Sequence, residues 1–403
     1  MRRRTLLGAV GAGFAGSLAG CTNLFETTSS REPPVVENRP DAVYIPTHQE
    51  GMNMIGMGEA GDFTVGVMYS WPHRFWTTNG QQTERIDVGR NDAIHLMVSV
   101  WDAETGITIP SSGVTVETTD GEDYREEEVV YEMLSQRMGF HYGDNWPLPG
   151  DGTYTLRVDV GGTNVRRFGE FEGKFGEPGS VELEFEYSER ERNDISYTML
   201  EDRQGNPGAL PVMEMQMEMG SQSSSGMEMG NESGMGMSND SGMNMDNDSE
   251  MGMGNHSGMN TSNDSGMGGG SGMHDSMSMP VGKAPAPDSL PGESVGEQTS
   301  GDAVFVATAV PGGRFGDQPY LLVSPRTPYN GLVIPSMGLS ATVGGNEVSL
   351  EPALDPEVGY HYGANVEGLS AGDDLELVVE TPPQSARHEG FETAFLDMQS
   401  MTF

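Results

Sequence analysis

Two short histidine motifs hold the residues of this chain that are best suited to metal chemistry. The sequences GFHYGDN at 139–145 and GYHYGAN at 359–365 share the frame G-[FY]-H-Y-G-x-N and place His141 and His361 at the same position. Imidazole nitrogens are the commonest protein ligands for transition metals. Residues 95–113 also align without gaps on residues 320–338. Two separated matches in the same order predict one structural unit used twice.

Other soft or borderline ligands accompany the first motif. His95 and Met97 are two residues apart on a predicted strand, so they lie on the same face of it. His73 stands among aromatic residues, where it is a candidate ligand or a packing residue. A single strand histidine is often structural and bonded to the backbone, so both alternatives stay open for each of these residues. The remaining candidates lie in a glycine-containing stretch and are His48, Met52, Met54 and Met57.

The charge of the chain indicates the salt concentration in which the protein works more directly than it indicates a binding partner. The formal net charge is −40, with 21 basic and 61 acidic residues, and the only lysines are Lys174 and Lys283. This composition is typical of halophilic proteins, because concentrated salt screens the repulsion. Nucleic acid is disfavoured as a partner, since no basic face is available to displace counterions from phosphates.

The amino terminus predicts export and lipid anchoring. Residues 2–4 are arginines, 8–18 are small and apolar, and Leu-Ala-Gly-Cys at 18–21 has the form of a lipobox. We interpret residues 1–20 as a twin-arginine lipoprotein signal and Cys21 as the lipidated residue. A lipid anchor would place the protein on the outer face of the cytoplasmic membrane, at the cell surface. Residues 21–41 are polar and read as a tether.

Alternating apolar and polar residues predict an all-β fold. Residues 154–160 and 181–187 alternate throughout, and further strands are predicted at 63–68, 94–101, 114–117 and 128–133. A second set covers 304–309, 320–323, 339–343 and 375–380. We therefore predict two immunoglobulin-like antiparallel β-sandwich domains, at 42–188 and 301–403, each expected to fold on its own.

The segment between them, 189–300, is predicted to be a disordered linker. Of the 29 methionines, 17 fall within 213–279, and five octads at 227–266 have the consensus M-x-M-x-N-[DEH]-S-G. Paired thioethers suit Cu(I), although the repeats also fit a plain spacer. The candidate linker ligands are Met227, Met229, Met235, Met237, Met243, Met245, Met251 and Met253. The candidate glycosylation sites are Asn231, Asn239, Asn247, Asn255, Asn260 and Asn263.

The sequence HYGDN at 141–145, followed by PGDGTY at 149–154, resembles the periplasmic iron-uptake lipoprotein family. Members of this family, which is associated with ferrous-iron transport, carry H-Y-G-N-N and then P-G-x-G-x-Y. The resemblance, in two tandem copies, implies an immunoglobulin-like sandwich that binds copper, iron or zinc. It also implies that the protein works together with a metal permease and that it can form a homodimer.

The resemblance implies ligands residue by residue. His141 and His361 match the motif histidine, and His388 matches a later histidine that follows a Pro-Pro segment. Met133 or Met138 fills the place of the family's methionine, whereas the second copy has Ala353 or Leu354 there. The first copy has Phe168 where the second has His388. Each copy therefore lacks part of a complete site.

Two functions remain after these observations. The first is an extracytoplasmic, lipid-anchored protein that captures copper or ferrous iron for transport or homeostasis. The second is a structural or adhesive surface lipoprotein on a glycosylated stalk, with no metal role. No sequence motif for an enzyme occurs, so a non-catalytic protein is predicted. Convergence of His141 with a methionine, and of His361 with His388, would favour the first function.

Overall fold

The predicted all-β fold is confirmed by the computed structural model, which describes residues 32–213 and 279–403. The only α-helix of these residues is α1 (Glu189–Asp194), and Gly169–Phe171 and Pro287–Ser289 form 3-10 turns. The strands are β1 (His48–Glu50), β2 (Asn53–Ala60), β3 (Phe63–Ser70), β4 (Phe75–Asn79), β5 (Gln82–Ile86), β6 (Asp92–Trp101), β7 (Val114–Thr119), β8 (Arg125–Ser135), β9 (Gly139–Pro147), β10 (Gly152–Val160), β11 (Arg166–Arg167), β12 (Gly179–Tyr187), β13 (Tyr197–Met199), β14 (Glu293–Ser300), β15 (Ala303–Val310), β16 (Tyr320–Arg326), β17 (Gly338–Val343), β18 (Asn346–Asp355), β19 (Gly359–Asn365), β20 (Leu375–Thr381), β21 (Ala386–Arg387) and β22 (Met401–Thr402).

Side-chain alternation explains why the outer strands form where they do. In β10, Tyr154, Leu156 and Val158 are buried, and the residues between them face solvent. This period of two leaves one face for the core and one for water. Strand β6 instead is buried along almost its whole length, including His95 and Met97. A strand that is covered on both faces can hold functional side chains away from water.

The first lobe, built from residues 32–213, is a sandwich whose two sheets share one long strand. The strand order is β12-β10-β7-β8-β9-β6-β3-β2. The first half of β8 pairs with β7, through Val114↔Val130, and its second half pairs with β9, through Met133↔His141. The strand therefore passes from one sheet to the other and brings Met133 beside the motif histidine.

The second lobe, residues 279–403, has the same strand order. Its sheet runs β22-β20-β17-β18-β19-β16-β15-β14, and β18 is shared as β8 is in the first lobe. The pairing Ala353↔His361 in this lobe corresponds to Met133↔His141 in the first. The two predicted β-sandwiches are thus confirmed.

Each lobe lends a two-residue strand to the other. Strand β21 of the second lobe pairs in parallel with β8, through Ala386↔Met133, and also joins β4 through Arg387↔Trp76. Strand β11 of the first lobe pairs in parallel with β18, through Arg166↔Ala353. The expectation that each sandwich folds on its own does not fit this exchange of strands.

The segment before β1 also binds the second lobe. Tyr44 donates a hydrogen bond of 2.5 Å to the buried Glu392, and Arg39 forms an ion pair with the same carboxylate at 2.8 Å. Residues 32–41, predicted to belong to a tether, therefore pack against the fold. Their polar sequence gave no sign of this, because the contacts are polar and reach residues far away in the chain.

Part of the predicted linker is ordered structure. Helix α1 and strand β13 lie within 189–213, and β14 occupies residues predicted to be linker. Strand β14 is an edge strand paired only with β15 and is largely exposed, so its sequence lacks apolar alternation. Cys21 and the octads at 227–266, with their methionines and sequons, lie outside the described residues.

The described residues belong to one compact unit with a shared interior. One continuous apolar cluster includes Leu96 and Phe140 of the first lobe together with Leu321 and Leu377 of the second. Within 32–213 and 279–403, no helix is long and apolar enough to cross a membrane. Shared strands and a shared core together predict that the lobes unfold together.

Replacing Leu377 by Ala tests this coupling, because Leu377 is fully buried in the second lobe while all four tryptophans lie in the first. We expect the free energy of unfolding, followed by tryptophan fluorescence, to fall by about 2–5 kcal/mol because the substitution leaves a cavity. Chemical denaturation in high salt, with the exposed Glu347→Ala as control, measures this change. An unchanged tryptophan transition would show that the lobes unfold separately.

Candidate metal centre

Four histidines meet where β21 crosses into the first lobe. His73, His95 and His388 each place a ring nitrogen within 4.8 Å of the others. His141 joins them, with its Nε2 atom 3.2 Å from Nε2 of His388. His95 and His141 are fully buried. Half of the eight histidines in the chain are thus gathered at one point.

Strand pairing fixes three of these side chains. His95 in β6 lies opposite Asn145 in β9, and His141 in β9 lies opposite Met133 in β8. His388 follows β21 directly, and its backbone N–H donates to the carbonyl of Leu134 at 3.0 Å. The site therefore needs both lobes, because the first lobe lacks its fourth histidine without the exchanged strand.

The motif asparagine holds two of the histidines. The Asn145 side-chain oxygen accepts hydrogen bonds from the backbone N–H of His73 at 3.2 Å and from Nδ1 of His95 at 3.0 Å. Its amide nitrogen donates to the carbonyl of His73 at 2.9 Å. That donation identifies the amide oxygen as the acceptor, so His95 carries its hydrogen on Nδ1. The Nε2 atom of His95 is then a lone-pair donor, and it is buried without a hydrogen-bond partner.

A hydrogen bond also fixes the tautomer of His141. Its Nδ1 lies 3.1 Å from the carbonyl oxygen of Gly139, which can only accept, so Nδ1 carries the hydrogen. The Nε2 lone pair consequently faces His388. Fixing the tautomer through the second ring nitrogen is how proteins orient histidines that bind metals.

His388 lies between two other imidazoles. Its Nδ1 is 3.0 Å from Nε2 of His73, and its Nε2 faces the lone pair on Nε2 of His141. Two lone pairs repel, so the contact between His388 and His141 is attractive only if a proton or a cation lies there. A metal ion held by both Nε2 atoms would replace that proton. His388 would then carry its hydrogen on Nδ1 and donate it to Nε2 of His73, so His73 would have to be neutral, without a hydrogen on Nε2, in the metal-bound state.

A buried carboxylate completes the network at His73. Glu50 lies 3.6 Å from Nδ1 of His73 and 3.1 Å from Nε2 of His48. Burial alone would raise the pKa of Glu50, but hydrogen bonds from His48 and His73 outweigh it and hold this pKa at about 2. Burial would lower the pKa of His73, and Glu50 outweighs it, so this pKa is raised. Glu50 therefore favours the protonated form of His73 while no metal ion is bound.

The other three imidazoles are kept neutral. Burial lowers the pKa of His141 to about 4. Burial, with the nearby positive charge of His73, holds the pKa of His95 and of His388 well below the usual value. Neutral imidazole is the form that binds metals, so at neutral pH these three rings can bind without first losing a proton from a cationic state.

Sulfur and a glycine shape the remaining side of the site. A Cβ atom added to Gly143 would lie 3.3 Å from Nε2 of His95 and 3.3 Å from Sδ of Met133. The missing side chain of the motif glycine therefore leaves a gap between a nitrogen and a sulfur donor. His73 and His388 also line a cavity of about 110 Å³, and Met97 and Met138 are among its other lining residues.

The structure separates the predicted ligands into two groups. His73, His95, His141, His388 and Met133 converge, while Met97 and Met138 line the adjoining cavity. His361 does not converge with His388, so of the two convergences that would favour metal binding only that of His141 with a methionine is present. The reason is the exchange of β21, which carries His388 into the first lobe.

Two residues at this site were missed by sequence reasoning. Asn145 belongs to the repeated motif, so the motif itself was the available signal for it. Glu50 stands two residues after His48, on the same face of β1, and this spacing was a signal for a carboxylate near a histidine. Neither its distance from His73 nor the role of Asn145 could be derived from spacing alone.

The fold and the site define a β-sandwich protein with a buried cluster of histidines. A domain of unknown function, DUF7350, matches residues 288–403. The comparison with curated proteins found no match.

Two solved structures are similar to part of the chain, and both are of FetP from uropathogenic Escherichia coli strain F11. A copper-bound variant is 18% identical, with 34% of this chain and 97% of that chain covered and a TM-score of 0.26. The protein as isolated is 16% identical, with 35% and 96% covered and a TM-score of 0.25. Similarity at this level carries no information about the function of the site, which has to be inferred from the geometry of its residues.

Buried neutral histidines predict acid sensitivity of the metal-free protein. The pKa of His141 and that of His361 are both about 4, against about 6.5 in an unfolded chain. Between these values the unfolded chain binds more protons, so stability falls as pH is lowered from about 6.5 towards 4. We expect His361→Phe to make this fall shallower by up to about 1.4 kcal/mol per pH unit.

Chemical denaturation at a series of pH values, in chelator and at constant salt, measures the effect. Parent and variant are compared at each pH, so the contribution of every other titrating group cancels. Parallel stability curves for the two proteins would contradict the assignment of a neutral buried imidazole at 361.

Proposed function

We propose that this protein binds a transition-metal ion as cargo through His95, His141 and His388, with Met133 as a fourth donor. The observation that carries the proposal is the fixed tautomer of His95 and His141, whose Nε2 lone pairs face the cluster. The unpartnered Nε2 of His95 is costly to bury unless a ligand occupies it. His73 and Glu50 would orient His388 and balance the charge of the bound ion.

The donor set favours copper over ferrous iron. Three imidazoles suit copper, zinc and iron alike, whereas a thioether such as Met133 selects Cu(I). Copper also precedes most divalent competitors in the general order of affinities. The carboxylates near the cluster are engaged elsewhere: Glu50 contacts His48 and His73, and Glu32 and Glu389 pair with Arg74. We therefore propose copper as the preferred cargo and ferrous iron as a weaker one.

The role that fits such a site is capture and transfer without catalysis. All four donors belong to the protein, and the site adjoins a cavity that also holds Met97 and Met138. Thioethers along a route to the imidazoles would pass a soft ion onwards without binding it tightly. The linker methionines, outside the described residues, stay a prediction as additional Cu(I) ligands.

An extracytoplasmic, lipid-anchored location is part of the proposal. It is supported by the arginine-rich amino terminus and the lipobox that ends at Cys21. Cys21→Ala is expected to move the exported protein from the membrane fraction to the medium, because the lipid would be lost. Fractionation and immunoblotting measure this, and a variant that stays in the membrane fraction would place the anchor elsewhere.

His141→Phe tests the metal site, with His361→Phe as its matched control. Both histidines are fully buried, donate from Nδ1 to a glycine carbonyl and have a pKa of about 4. We expect His141→Phe to reduce bound copper by about one ion per chain. Its affinity should fall by more than the ~10–100-fold that loss of an outer-shell partner costs, because a direct donor is removed.

Metal analysis of each protein, after loading with copper and dialysis against a weak chelator, gives the number of ions bound. Circular dichroism checks that each variant is folded. Equal copper content in the parent and in His141→Phe would overturn the proposed function.

A further inference from the structure

The second lobe contains a counterpart of the histidine site, related by the reciprocal exchange of strands. Phe168 follows β11 as His388 follows β21, and its backbone N–H donates to the carbonyl of Leu354 at 2.9 Å, as that of His388 donates to Leu134 at 3.0 Å. Asn365 donates to the carbonyl of Phe315 at 3.1 Å, as Asn145 does to that of His73. The two positions can therefore be compared residue by residue.

Only one of the four histidines is kept at this counterpart. Tyr320 lies opposite Asn365, where His95 lies opposite Asn145. Phe315 takes the place of His73, and Phe168 takes the place of His388. Ala353 pairs with His361, where Met133 pairs with His141, so the sulfur donor is also missing.

The lone pair of the remaining histidine is already used. His361 carries its hydrogen on Nδ1, which lies 3.0 Å from the carbonyl of Gly359. Its Nε2 then accepts a hydrogen bond from the hydroxyl of Tyr320 at 3.3 Å. Burial raises the pKa of Tyr320, so the phenol keeps its proton. In contrast to His95 and His141, this imidazole offers no free donor atom to an ion.

The space is filled by rings and by a positive side chain. The rings of Phe315 and Tyr320 stack at 4.4 Å, and Phe168 meets Phe315 edge-on at 4.9 Å. The guanidinium carbon of Arg166 lies 5.0 Å from the Phe168 ring and 6.0 Å from the Tyr320 ring. The corresponding residue in the other site is Ala386, which pairs with Met133 as Arg166 pairs with Ala353. The histidine site therefore has the small Ala386 beside the large Met133, whereas the counterpart site has the large, charged Arg166 beside the small Ala353.

We infer that the counterpart site around His361 holds the guanidinium of Arg166 in place of a metal ion, so that the two described sites together bind a single metal ion. The aromatic faces attract the guanidinium as they would attract a bound cation. The fixed charge of Arg166 repels any metal ion that enters. This inference rests on the proposed function of the histidine site. It adds that the two lobes share one fold but only the first lobe has a site that binds metal.

Restoring the ligands tests the inference. A variant with Phe168→His, Phe315→His, Tyr320→His, Ala353→Met and Arg166→Ala is expected to bind one more copper ion per chain than the parent. A second variant with the same four ligand substitutions but with Arg166 retained is expected to bind that ion at least ~10-fold more weakly, because like charges repel at this distance. Metal analysis and competition with a copper chelator measure both quantities, using the full chain.

The outcomes separate this inference from the proposed function. A folded five-substitution variant that gains no ion, or equal copper affinity with and without Arg166, overturns the inference. Should the substituted chains fail to fold, the single variant His361→Phe decides, since loss of a copper ion from it would mean that the counterpart site binds metal already. Unchanged copper content in His141→Phe would instead overturn the proposed function itself.

Discussion

The short parallel pairing of β21 with β8 is the contact on which the rest of the structure depends. It joins the second lobe to the first through Ala386↔Met133 and Arg387↔Leu134, and it delivers His388 to the other three histidines. Arg387 keeps the segment in place: it is fully buried, and it donates hydrogen bonds to the carbonyls of Pro383 and Ala394. Burial lowers its pKa to about 9. A buried cation whose two terminal nitrogens donate to backbone carbonyls holds the loop in one arrangement.

The strands were the most predictable part of this molecule. Alternation in β10 and β12 and the apolar run of β6 follow directly from which faces are covered, so sequence patterns reveal them. The closeness of His141 and Met133 was also predictable, because the two residues are near each other in sequence and lie on adjacent antiparallel strands. Residues Glu293–Ser300 could not be predicted as a strand, since an exposed edge requires no apolar face.

The partner of His388 could not be predicted for a different reason. A pairing of only two residues leaves no periodic pattern in the sequence. It also joins distant parts of the chain, since His141 and His388 are 247 residues apart. Sequence similarity between the two copies suggested that each lobe would use its own histidine. The structure shows the opposite arrangement, because each lobe lends the decisive residue to the other.

His141 and His361 illustrate how little burial alone says about function. Both are fully buried, both donate from Nδ1 to a glycine carbonyl, and burial lowers the pKa of each to about 4. The difference lies at Nε2, which faces another imidazole in one lobe and a phenol hydroxyl in the other. A tyrosine hydroxyl satisfies the lone pair and closes the site, whereas a second imidazole leaves it dependent on a proton or a cation.

A site made by both lobes links metal binding to the packing between them. His95 and His141 belong to one lobe and His388 to the other, so an ion held by all three binds only the conformation in which β21 is paired with β8. By mass action, such an ion stabilises that conformation by an amount that grows with its free concentration relative to its dissociation constant. The converse also holds, because a change that unpairs β21 lowers the apparent affinity for the ion in proportion to the fraction of molecules that stay paired. For the proposed metal site, the shared core and the contacts of Glu392 with Tyr44 and Arg39 would therefore contribute to affinity although they touch no ligand.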